Sequence, residues 1–167
     1  MDFLSKKQEF IFRNSKDAIV RVHVMQVGST PYDIWIEGKM KKYRDCVTLL
    51  EKALVDFDRS DLPPIIVVAN KKIETGGISS YNHVDDVIYF NSFYHTQERI
   101  DHVIDEGTFA AQDLSGIIRH ELGHKLHWDA VKRFYRAHKS KYNNIEEAKH
   151  DLDAPVGELC SKSIQSR

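Results

Sequence analysis

Along residues 18–26, AIVRVHVMQ, apolar Val20, Val22 and Val24 alternate with Arg21 and His23, and a period of two predicts a half-buried strand. Gly28, Ser29, Thr30 and Pro31 end it, and residues 32–37 suit a second short strand. From 40 to 57 the period changes: Tyr43, Val47, Leu50, Leu54 and Phe57 recur every three or four residues, the spacing of an amphipathic helix, which Asp58, Ser60 and Pro63 stop. The run PIIVVA at 64–69 is continuously apolar and β-branched, so it predicts a strand covered on both faces. Residues 70–77 turn the chain. The segment 78–91 ends in a further strand, VIYFN, with the turn-prone pair Asp85 and Asp86 before it. Residues 95–107 read as polar and irregular. Helix returns near Ala110 and runs to about Trp128, a basic helix covers 130–140, and Asn143 or Asn144 opens a last helix that stops before Pro155. The order predicts an α+β fold: a small mixed sheet packed on the helix of residues 110–128, with flanking helices. It forms one domain over 1–167, in which residues 1–37 are an N-terminal β arm.

Composition narrows the class. At 167 residues, with 41% hydrophobic and 29% charged positions, the chain can bury its own core without staples. Its 24 basic and 25 acidic residues nearly cancel, so no overall field favours nucleic acid or an anionic membrane. Cys46 and Cys160 form no CxxC and no disulfide framework, which points to a reducing compartment. The start MDFLSKKQEF lacks the apolar stretch of a signal peptide, and no run reaches membrane-spanning length. The expected location is the cytoplasm.

Nine histidines are many for this length, yet only His120, His124 and His127 cluster, and the first two belong to the run HELGH. Histidines four apart on a helix project from one face, so both imidazoles can reach one zinc ion at roughly 2.0–2.1 Å. The residue between them, Glu121, is placed to take a proton from water as it attacks a carbonyl and to pass it to the leaving amine. Leu114, Ile117, Ile118, Leu122 and Leu126 supply an apolar stripe on the side away from the histidines, and Gly116 and Gly123 are expected where neighbouring backbone approaches closely.

HELGH with strands upstream resembles the zincin metallopeptidases, in which a small sheet lies above the motif helix and its edge strand binds substrate as an added strand. That resemblance implies an edge strand in the segment ending VIYFN, a zinc cofactor, His120 and His124 as ligands, and Glu121 as general base. More loosely, the stretch from HELGHKLHWDAVKRFY to EEAKHDLDAP resembles the zincin-type domains of minor head proteins of phages infecting Gram-positive bacteria. The metzincin pattern fails, because His127 and Ala130 stand where it requires Gly and His. The gluzincin pattern, a later Glu followed four residues on by Asp, is met by Glu147 and Asp151, which makes Glu147 the expected third ligand. Glu147 also lies three residues after Asn144, as in a capping box. Glu146, Glu158, Asp129 or a segment beyond the chain's end are the alternatives.

Two functions follow. One is a zinc metallopeptidase acting on a peptide or protein substrate. The other is a phage capsid or head-assembly protein, virion-associated and in contact with capsid and portal proteins, that keeps the fold with its metal structural or lost. His127 is expected as a helix-end residue near the negative end of the dipole. Tyr135, Tyr142 and His150 are expected on helix faces. The basic run Lys132, Arg133, Arg136, Lys139 and Lys141 is expected to be a solvated face rather than a nucleic-acid surface.

Overall fold

The computed structural model describes residues 7–13, 19–27, 32–73, 76–107 and 110–154. In chain order they form β1 (Lys7–Arg13), β2 (Ile19–Gln26), β3 (Ile34–Ile36), α1 (Lys41–Ala53), β4 (Ile65–Val68), β5 (Ser79–Asn82), β6 (Val87–Asn91), α2 (Gln97–Asp105), α3 (Leu114–Ala137) and α4 (Ile145–Asp153). The class is α+β, as the sequence pattern predicts. Two compact units divide the chain, Met1–His124 and Lys125–Arg167. Among the described residues no helix is long and apolar enough to cross a membrane.

The first unit is built on a six-stranded mixed sheet in the order β1-β2-β3-β4-β6-β5. Its centre is parallel, β3 beside β4 and β4 beside β6, and both flanks are antiparallel. The residues expected as an N-terminal arm extend this sheet: β2 pairs with β3 through Met25 opposite Ile36 and Gln26 opposite Trp35. The strand β1 was not expected from the pattern.

Period-two alternation divides β4 between two cores. Ile65 and Val67 join Ile34, Ile36, Ile88 and Phe90 in a cluster closed by Leu50 of α1, Ile100 of α2 and Ile118 of α3. Ile66 and Val68 point the other way and pack with Val22, Val24, Trp35 and Tyr89. All four β4 side chains are therefore buried, which explains the uninterrupted apolar run. At about 25 cal/mol per Å² of apolar surface, this burial is the principal force holding the sheet to the helices.

Local chemistry sets the ends of the elements. The helix α1 stops at Ala53, earlier than its apolar spacing predicts, and the Tyr32 hydroxyl donates to the Leu54 and Phe57 carbonyls at 2.6 and 2.9 Å. Residues 95–107 are not irregular. Thr96 Oγ1 accepts from Arg99 N, Ile100 is buried and Gly107 closes the run at φ +73°, so α2 has a cap, an apolar anchor and a left-handed stop. The helix α3 starts later than expected, where Asp113 accepts from Gly116 N at 2.7 Å, and continues through the position given to a separate basic helix. Asn91, fully buried, donates to Asn70 Oδ1 and the Gly77 carbonyl and accepts from Phe93 N, tying the end of β6 to the turn that precedes β5.

Candidate functional site

The segment 78–91 is a hairpin. Its second half, VIYFN, is interior, between β4 and β5; the edge expected there is formed by β5, among the described residues. Strand choice follows from hydrophobicity, since every β6 side chain is buried and SSYN, the sequence of β5, suits a half-wet edge. Asn82 Oδ1 accepts from Val84 N and Asp85 N, and Asp86 adopts φ 53°, so the turn is fixed by an Asx contact and one left-handed residue. The hydroxyls of Tyr81 and Tyr89 donate to Asp86 and Asp85.

The ladder then decides which backbone groups face out. Asn91 N donates to the Ile78 carbonyl at 2.8 Å, so by antiparallel alternation the polar groups of Ser79 and Tyr81 point away from β6. Glu121 meets them. Its Oε2 accepts from Tyr81 N at 2.8 Å and its Oε1 accepts from Ser79 Oγ at 3.2 Å. Only 7% of Glu121 is exposed, and these two bonds are what permit a carboxylate there.

One turn along α3, His120 and His124 are both exposed, with their Nε2 atoms 3.0 Å apart and their rings at 89°. Between α3 and β5 lies a cleft of about 570 Å³. Ser79, His120 and Glu121 line it, with Arg119 on the same wall and Ala110, Ala111 and Ile117 supplying apolar surface. Gly116 borders it too: a Cβ there would come within 3.2 Å of Ala111 Cβ, a close approach by a side chain where the sequence suggested backbone. Gly123 has no such neighbour. Nor does the apolar stripe hold for its full length, since Leu114, Ile117 and Ile118 are buried, Leu122 is partly so, and Leu126 is 58% exposed.

The second unit holds the residues considered for a third ligand, and Glu147 and Asp129 have local engagements. Glu147 closes a capping box: Asn144 Oδ1 accepts from Glu147 N at 2.9 Å, while the Glu147 carboxylate accepts from Asn143 N at 3.0 Å and Asn143 Nδ2 at 3.4 Å. Asp129 pairs with Lys125 at 3.2 Å, and Asp151 accepts from the Tyr142 hydroxyl at 2.7 Å. Glu146 is exposed and Glu158 lies outside the described residues. His127 is not at a helix end; α3 runs ten residues further, and its Nε2 lies 2.7 Å from Asp153 Oδ1. That contact and the Lys149 ammonium hold the Asp153 carboxyl below its ordinary range, the Lys149 hydrogen bond contributing most. Among the described residues no group of three or more His, Cys, Asp or Glu is assembled to hold a metal ion.

Compared with family models, with curated proteins and with solved structures, the chain finds no match in any of the three.

Proposed function

We propose that this protein is a zinc-dependent hydrolase of peptide bonds, with His120 and His124 as metal ligands and Glu121 as general base. One observation carries the reading: two imidazole nitrogens 3.0 Å apart on an exposed helix face, beside a carboxylate in a cleft along the sheet edge. In a tetrahedral site with bonds of roughly 2.0–2.1 Å, neighbouring ligand atoms are about 3.3 Å apart, so the donor pair fits with little adjustment. Bound there, the cation would supply a Lewis acid that acidifies water.

The chain's own residues account for the rest. A peptide lying along β5 would be held by the outward N–H of Tyr81, now bonded to Glu121. Receiving that strand frees the Glu121 carboxylate to take a proton from water as its oxygen attacks the peptide carbonyl. The same proton then passes to the amide nitrogen as the C–N bond breaks.

Metal analysis of the purified protein should find one equivalent of zinc, lost in His120→Ala; a parent protein without zinc would end this reading. Peptide digestion should disappear in Glu121→Gln. The expected third ligand, Glu147, is tested by Glu147→Gln, which keeps the capping box: a metal affinity weakened tenfold or more supports ligation, and an unchanged one assigns Glu147 to the cap alone. That commitment of Glu147 to its helix also favours a second reading, a phage head-assembly protein without hydrolysis, in which Glu121→Gln changes nothing beyond the edge-strand contact.

A further inference from the structure

We propose that Arg119 makes the cleft selective for an acidic side chain, so that the favoured ligand is an extended peptide segment carrying Asp or Glu. The inference rests on the reading of the cleft as a peptide site and names its substrate class. Four observations support it. Arg119 lines the cleft next to His120 and Glu121. Its guanidinium sits over the Phe57 ring, 5.1 Å from the centroid, a cation–π contact that limits the side chain's freedom and uses the face of the guanidinium rather than its N–H edge. Among the described residues no carboxylate pairs with it. Among the described residues lining the cleft the carboxylate is that of Glu121, and it is turned onto Ser79 and Tyr81 rather than onto Arg119.

A guanidinium held this way is a planar, bidentate receptor for a carboxylate. Arg119 is itself solvent-exposed beside the apolar Ala111 and Ile117, so the pairing is geometric and bidentate and is screened by salt. A segment paired with β5 presents alternate side chains to one face, so one acidic residue within it can reach Arg119 while its backbone meets Tyr81 N. A Lys at the same place would be repelled.

The test is equilibrium binding, which does not depend on turnover. The probes are fluorescein-labelled nonapeptide libraries with Glu, Gln or Lys fixed at one position, titrated by anisotropy against the full chain carrying Glu121→Gln. The Glu set should bind about tenfold more tightly than the Gln set, and the gap should shrink with added salt. Arg119→Gln should abolish the gap, and Arg119→Glu should transfer the preference to the Lys set. Equal binding of the Glu and Gln sets, a preference that survives Arg119→Gln, or no binding of any set overturns the proposal. The two readings fail separately: zinc and cleavage without charge preference would remove only the role of Arg119, whereas Arg119-dependent binding without zinc or cleavage would remove only the hydrolase.

Discussion

The Glu121 carboxylate, which we propose as the base, also satisfies an outward N–H of the sheet edge, two roles at once on that reading. Substitutions separate them. Glu121→Gln keeps an amide oxygen to accept from Tyr81 N, so chemical denaturation should place it within about 0.5 kcal/mol of the parent. Glu121→Ala leaves that donor and the Ser79 hydroxyl without their partner and should cost about 1–2 kcal/mol. Loss of hydrolysis in both with loss of stability in one is the expected pattern. Asn91 is a residue-scale anchor of another kind. Three hydrogen bonds meet on a side chain with no exposure, and Asn91→Ala should cost about 3 kcal/mol in the same measurement, loosening the turn before β5. The spacing of HELGH puts His120 and His124 on one helix face, but the partners of Glu121 come from residues some forty positions earlier, which no local pattern displays.

For the elements, legibility followed the strength of the local signal. The strands β2 and β4 and the helix α1 have clear periods, and α4 opens at Asn144 as expected. The helix α2 was hidden because its apolar positions, Ile100, Val103 and Ile104, are few among charges, although Thr96 and Gly107 mark its two ends. A full-length α3 was obscured by the basic run after Asp129, which marks a change of face and no break. The end of α4 yields a pH prediction. Because Lys149 first and His127 next hold the Asp153 carboxyl below its ordinary range, its stabilising effect is present above the unfolded value near 3.9 and is lost as pH falls through the folded value. Carboxyl NMR titration should find the Asp153 midpoint below that of an ordinary Asp, and Lys149→Met should raise it.

At the scale of the whole molecule, the larger core is probed by Cys46, which is fully buried in the cluster between α1 and the sheet. Burial pushes its thiol up to about 12, with Asp45 adding to the rise and Lys42 opposing it. The folded state therefore holds this proton where the unfolded chain, near 8.5, releases it, so the Cys46 contribution to stability falls as pH rises from about 8.5 to 12. In a Cys160→Ser background, a thiol reagent at pH 8 should label the native protein only at the rate at which this core opens, and labelling as fast as in denaturant would contradict the packing.

By itself the sequence determined the α+β class and the main periodic elements, and it put two histidines and a glutamate on one helix, because those depend on spacing along a single segment. Tertiary structure alone decided that β5 rather than VIYFN forms the edge, that Glu121 faces Tyr81 N, and that Arg119 lines the same cleft as Ser79 and Glu121. Strand order and cleft walls arise when distant segments compete for the same core. The most apolar strand wins the interior and the more polar SSYN is left at the rim, beside the helix that carries the histidines.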